Sequence, residues 1–140
     1  MSKNLIRIIP FLDIKNGFLI KGINLEGLRI IGKAENFSNF YYKSGADEIC
    51  YIDNVATLYG TNNLSKFITN TAKDVFAPLS VGGGIRNIQN IKSMLLAGAD
   101  KVCINSAAIE DIKFLKSASR IFGSANITVI IQSIKIDNKY

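Results

Sequence analysis

Gly45-Ala46-Asp47-Glu48-Ile49-Cys50 returns 53 residues later as Gly98-Ala99-Asp100-Lys101-Val102-Cys103. Each copy has a glycine where a helix closes and an apolar run where a strand opens, so the shift spans two strand-plus-helix units. Outward from the two copies, short β-rich runs alternate with helical patterns. They read as strand Ile6–Ile14, helix near Glu35–Ser44, strand Glu48–Asp53, helix near Leu64–Asp74, strand Leu79–Gly82, helix near Ile88–Ala97, strand Lys101–Ile104, helix near Ile109–Phe122 and strand Ile127–Ile131. The segment Phe18 to Leu25 also reads as extended, which makes the loop after the first strand long and partly β. This βαβαβαβαβ order predicts an α/β fold: a parallel sheet with right-handed crossovers and functional residues at the carboxyl ends of its strands. A barrel of eight such units has about 250 residues. Four units and a fifth strand are about half of a (β/α)8 TIM barrel, one partial-barrel domain over residues 1–140 that reads as stopping early, with no helix after its last strand.

Composition narrows the class. Apolar residues make up 48% of the chain and charged residues 20%, and no apolar run reaches membrane-spanning length. The polar start Met1-Ser2-Lys3-Asn4 leads into a strand pattern at Leu5 without a signal-peptide profile, so a cytoplasmic location and no membrane partner are predicted. Cys50 and Cys103 lie in apolar segments without CxxC spacing, the pattern of buried, reduced, structural thiols. The net charge of +6 would attract nucleic acid, phosphorylated metabolites or an acidic surface. The lysines are scattered, however, with no basic stripe interleaved with aromatics, so a solvated basic surface is expected and nucleic acid is not. The chain has no histidine, which excludes any mechanism that draws imidazole from it.

Val81-Gly82-Gly83-Gly84-Ile85-Arg86 ends a strand and precedes a helix. Three glycines leave backbone N–H groups unshielded, and the helix start adds its own free amides, which suits a phosphate; the same triplet also serves a plain turn with positive φ. Asn105-Ser106 follows the neighbouring strand and offers an amide, a hydroxyl and further N–H groups, either as a simple helix cap or as the second side of a phosphate cradle. Asp13 and Asp53 each end an apolar run, where a carboxylate is costly to bury unless it is paired, catalytic or capping a turn.

With these residues in place, the stretch Arg7-Ile8-Ile9-Pro10-Phe11-Leu12-Asp13-Ile14-Lys15-Asn16-Gly17, Lys21-Gly22, both repeat copies, Val81 to Arg86 and Asn105-Ser106-Ala107-Ala108 together resemble the cyclase subunit family of imidazole glycerol phosphate synthase, over its N-terminal half. The resemblance implies a lyase of histidine biosynthesis. In that family ammonia from a glutaminase partner attacks a bis-phosphorylated ribulosyl intermediate, giving imidazole glycerol phosphate and an aminoimidazole carboxamide ribotide, with no metal or organic cofactor. Asp13 matches the first catalytic carboxylate, and Lys21 a lysine of the loop that closes over substrate. Gly84 and Asn105 match the phosphate site, and Asp53 a polar position in the active-site mouth. Arg7, Glu48 and Lys101 match members of the charged ring at the opposite barrel end, where ammonia enters; the same three charges could equally be a salt-bridge network.

The chain also departs from the family. A gap-free match puts Gln132 where the second catalytic carboxylate ends the fifth strand, and a small insertion would put Lys135 there instead. Phe11 replaces the usual cysteine. Leu25-Glu26-Gly27-Leu28-Arg29 and Leu58-Tyr59-Gly60 look more like paralogues associated with surface-polysaccharide amidation. Two readings follow: an ammonia-using cyclase whose 140-residue chain is inactive alone, or a non-catalytic half-barrel that binds a phosphorylated ligand or a glutaminase. For either, helices are expected on the convex face only. The inner face is expected to expose Ile and Val and to invite pairing with a second copy or a missing half.

Overall fold

The computed structural model describes residues 6–23, 26–55 and 64–131. Its strands are β1 (Phe11–Lys15), β2 (Phe18–Ile23), β3 (Glu26–Lys33), β4 (Ile49–Asp53), β5 (Leu79–Gly82), β6 (Lys101–Ile104) and β7 (Ile127–Val129). The helices are α1 (Ala34–Lys43), α2 (Leu64–Asp74), α3 (Ile88–Leu96), α4 (Ser106–Glu110) and α5 (Ile112–Phe122), with a 3-10 turn at Ser124–Asn126. All seven strands form one sheet in the order β3-β2-β1-β4-β5-β6-β7. From β1 through β7 the pairing of β1, β4, β5, β6 and β7 is parallel and follows chain order, as the alternating pattern predicts. This is the strand order of half a (β/α)8 barrel.

Alternation along each strand separates two faces. Leu12, Ile14, Ile49, Tyr51, Leu79, Val81, Val102 and Ile104 join Ala34, Ile68, Ile91, Met94 and Ala118 of the helices in one buried cluster. Tyr51 packs edge-on to Phe67 of α2, with ring centroids 4.7 Å apart. Helices therefore cover this face. The opposite, inner face carries Phe11 and Asp13 of β1, Cys50 and Ile52 of β4, Ser80 and Gly82 of β5, Lys101 and Cys103 of β6, and Thr128 of β7. It is not the wall of Ile and Val that the half-barrel reading expects: most of the β-branched residues took helix-facing positions, and beside Phe11 and Ile52 the inner face carries mainly small and polar residues.

Three further boundaries depart from the sequence reading. The first strand begins at Phe11 rather than Ile6, because Pro10 has no N–H for the ladder. It also runs past Asp13 to Lys15, so Asp13 lies within the strand. From Lys15 the chain turns through Asn16 and Gly17, both at positive φ (51° and 78°), into β2, which pairs antiparallel with β1 on one side and with β3 on the other. A two-residue Asn-Gly turn of this kind matches the twist of a hairpin. Finally, the helix expected over Ile109–Phe122 is two helices. Asp111 adopts an extended conformation, and its side chain accepts the Lys113 N–H at 2.8 Å, capping α5 and ending α4.

Candidate functional site

The amino end of the inner face holds a closed charged network. Glu48 is 4% exposed. One of its oxygens, Oε2, accepts from Arg7 at 2.5 Å and from Lys101 Nζ at 2.6 Å, while Oε1 takes the hydroxyl hydrogen of buried Ser80. Burial alone would raise the Glu48 pKa, but the hydrogen bonds from Lys101, Ser80 and Arg7 outweigh it and hold the carboxyl below its ordinary value. Arg7, Glu48 and Lys101, singled out in the sequence, are thus brought together. Ser80 was missed. Its only signal is a single hydroxyl in the otherwise apolar strand Leu79-Ser80-Val81.

One layer higher, Cys50 of β4 and Cys103 of β6 lie buried on the inner face, on strands that flank β5. The neighbouring Cys103 thiol and burial push the Cys50 thiol up. Both cysteines are unoxidised and buried, as the sequence suggests.

At the carboxyl end, register aligns Asp13 with Ile52, Ile52 with Gly82, Gly82 with Cys103 and Cys103 with Thr128, all on the inner face. Among the described residues no hydrogen bond or ion pair reaches the Asp13 carboxylate. In the glycine run, Gly83 and Gly84 have φ of +117° and +65°. A Cβ at Gly82 would lie 2.8 Å from both Cys103 Cβ and Ile52 Cδ1, and one at Gly83 would lie 2.5 Å from the Asp53 carbonyl oxygen. Glycine is therefore required at both by packing, and at Gly83 by conformation as well. The run leads through Ile85 and Arg86 to Asn87, whose side chain caps α3 by accepting the Asn90 N–H at 2.9 Å. Across from it, Asn105 precedes α4 and Ser106 opens it. A cleft of about 350 Å³ lies between the two loops, lined by Ile85, Arg86, Ser106, Ala107 and the acidic pair Glu110 and Asp111. The glycine loop and the Asn105–Ser106 turn are thus neighbours.

Asp53 is buried on the helix-facing side, where its Oδ1 accepts the Val55 N–H at 3.0 Å, the turn-closing role weighed for it above. Lys21 is exposed on β2 opposite Arg29 and makes no ion pair with Asp13. Gln132 and Lys135 lie outside the described residues, as do Leu25 and Leu58-Tyr59-Gly60. Among the described residues no helix is long and apolar enough to cross a membrane.

Comparison with known proteins agrees with this layout. Residues 7–139 match the family model described as histidine biosynthesis protein. The imidazole glycerol phosphate synthase subunit HisF of Legionella pneumophila is 45% identical over 133 residues, covering 95% of this chain and 63% of that protein. The subunits of the same name from Clostridium botulinum and Campylobacter concisus are 43% and 42% identical, over 95% and 96% of this chain and 53% of theirs. The chain spans between half and two thirds of the length of these relatives. With a match over residues 7–139 and the strand order of half a barrel, the chain belongs to the histidine biosynthesis protein family.

Proposed function

We propose that this chain is the phosphate-binding half of an ammonia-using cyclase, acting on a bis-phosphorylated ribulosyl intermediate with a glutaminase as partner in the cytoplasm. The observation that carries the reading is the row of the inner face that aligns Asp13 with Gly82. In a barrel, alternate strands contribute to one layer, staggered along the strands. The same stagger that brings Glu48, just before β4, to Lys101 of β6 would set Asp13 of β1 level with Gly84 after β5. A phosphate held by the backbone amides of Gly82–Gly84 and by Asn105–Ser106 would present its attached carbon chain to Asp13. The carboxylate can then take and return protons during imine formation and ring closure. Lys21, on the hairpin beside β1, would close over the bound substrate.

At the other end, exposed apolar side chains surround the charged network. Ile8, Phe76 and Leu96 are 67%, 78% and 78% exposed in the segments that enter the strands or leave the helices beside Arg7, Glu48 and Lys101. An apolar collar around a polar centre suits a protein partner that delivers a small polar molecule such as ammonia. A second reading is favoured by Gln132, which cannot replace the family's second carboxylate: a non-catalytic half-barrel that keeps only the phosphate and partner sites, or a paralogue acting in surface-polysaccharide amidation. The test is ammonia-dependent turnover by residues Met1–Ile131 fused to a family C-terminal half that carries the carboxylate. The cyclase reading expects turnover from the fusion, little from the 140-residue chain, and a loss of roughly 10²–10⁴-fold in the fusion's Asp13→Asn variant. A fusion indifferent to Asp13→Asn would overturn the role of Asp13, and an inactive fusion that still binds inorganic phosphate would favour the second reading.

A further inference from the structure

Lysines that look scattered along the sequence gather on one helix face in the fold. Lys113, Lys116 and Arg120 follow the i, i+3, i+7 spacing that sets side chains along one side of a helix, and all three are exposed on α5. The opposite side of α5, with Phe114, Leu115, Ala118 and Phe122, belongs to the hydrophobic core, so the cations point outward. Ile112 and Ile121, 57% and 60% exposed, stand on either flank of this stripe. Neither α5 nor the neighbouring α3 carries an Asp or Glu, and α3 adds the exposed Lys92. Among the described residues no ion pair reaches Lys92, Lys113, Lys116 or Arg120.

The chemistry of this face selects its occupant. Lysine is depleted at the core of protein–protein interfaces, and single-stranded nucleic acid is held on aromatic platforms, of which the stripe has none. An anionic bilayer uses both parts of the face: the cations reach the headgroups while the flanking isoleucines enter the boundary with the acyl chains. A barrel closes by pairing strand edges, so the outward side of α5 stays open whatever completes the sheet. We propose that the α5 stripe is a docking surface for an anionic membrane, one that holds the chain reversibly at the lipid surface. The expectation of no membrane partner rests on the lack of a signal-peptide profile and of a spanning run, and a stripe formed by helical spacing shows in neither. Each cation near an anionic surface is worth roughly fivefold in partitioning, so three give about a hundredfold, enough for a weak and salt-sensitive attachment.

The test is flotation of the 140-residue chain with vesicles of phosphatidylcholine alone and of phosphatidylcholine mixed with phosphatidylglycerol. Binding is expected only to the anionic vesicles and should fade as salt rises. The combined variant Lys113→Gln, Lys116→Gln, Arg120→Gln should bind about a hundredfold more weakly. The combined variant Lys43→Gln, Lys66→Gln, Lys73→Gln removes the same charge from exposed positions on α1 and α2 and should stay within about fivefold of the parent. In the unaltered chain, Lys113 and Lys116 should be shielded by the vesicle from an amine-acylating reagent while Lys43 and Lys73 still react, a readout that needs no variant. No binding to anionic vesicles, equal losses in the two variants, or shielding of the α1 and α2 lysines instead would each overturn the proposal. So would tighter binding to single-stranded RNA or to poly-glutamate than to the vesicles at matched charge, which would make the occupant a soluble polyanion.

Discussion

The two copies of the repeat do the same work in their first three residues and opposite work in the fourth. Gly45 and Gly98 both end a helix at positive φ, +90° and +114°, donating to Tyr42 and Leu95 carbonyls. Asp47 and Asp100 both clamp the start of the strand beside them. The Asp47 N–H donates to the Ile8 carbonyl and its Oδ2 accepts the Ile8 N–H, at 3.0 and 2.7 Å; Asp100 does the same with Leu79, at 2.9 and 2.8 Å. Then the copies diverge into Glu48 and Lys101, which touch at 2.6 Å. Positions that serve the backbone can repeat. Positions aimed at the inner face cannot repeat freely, because residues 53 apart on alternate strands share a layer and meet, and two like charges there would repel.

Making the copies alike is therefore the most damaging change. Glu48→Lys would put a third cation against Arg7 and Lys101 in a buried position, with an expected cost of about 3–5 kcal/mol in denaturant unfolding. The exchange Glu48→Lys with Lys101→Glu should recover a large part of that loss. Glu48→Gln should cost less and remove a pH dependence. Because the folded-state pKa of Glu48 lies below its ordinary value of 4.5, its contribution is fully present above that value and fades as the pH falls through the folded-state pKa. Relative to Glu48→Gln, the parent should lose stability on acidification in that window. Parallel acid profiles would show that the network adds nothing through this carboxylate.

Much of this was legible in the sequence, for a physical reason that also marks the limit. Leu64–Asp74, Leu79–Gly82 and Lys101–Ile104 fall where their patterns predict, since a parallel strand or amphipathic helix declares itself by what it buries. Strands β2 and β3 were half seen: Phe18 to Leu25 reads as extended, but β3 exposes both Ile30 and Ile31 and its register with β2 slips, which blurs the alternation. The break at Asp111 was hidden because Ile109, Ile112 and Phe122 keep an unbroken apolar pattern across it. At the site, the glycine run and Asn105–Ser106 could be paired because they end adjacent strands. Ser80 could not be found, because its partner Glu48 is distant in sequence and comes close only once β4 and β5 pair.

The glycines test whether the shared first position is also equal in energy. A Cβ at Gly98 would sit 3.2 Å from Ala72 Cβ, whereas at Gly45 nothing lies within 4 Å. Gly45→Ala should carry only the positive-φ strain, about 1 kcal/mol, and Gly98→Ala that strain plus crowding against α2, about 2 kcal/mol. Equal losses in urea unfolding would mean that α2 yields to the added methyl.

The smallest effect should come from the two aspartates, where the copies look most alike. Removing either carboxylate leaves its own N–H bond intact and orphans one backbone N–H, of Ile8 or of Leu79. Leu79 is 3% exposed and Ile8 is 67% exposed, so water can replace the lost acceptor at Ile8 far better than at Leu79. Asp100→Ala is expected to cost about 1 kcal/mol and Asp47→Ala about half of that. Asn at either position keeps an oxygen acceptor and should restore most of the loss, since the clamp works by geometry more than by charge. Amide hydrogen exchange reads the two sites separately: Leu79 should exchange markedly faster in Asp100→Ala and Ile8 only slightly faster in Asp47→Ala. A larger change at Ile8 would mean that the segment before β1 depends on its aspartate more than the sheet interior does, and the two clamps would then be alike in bonding but not in what they hold.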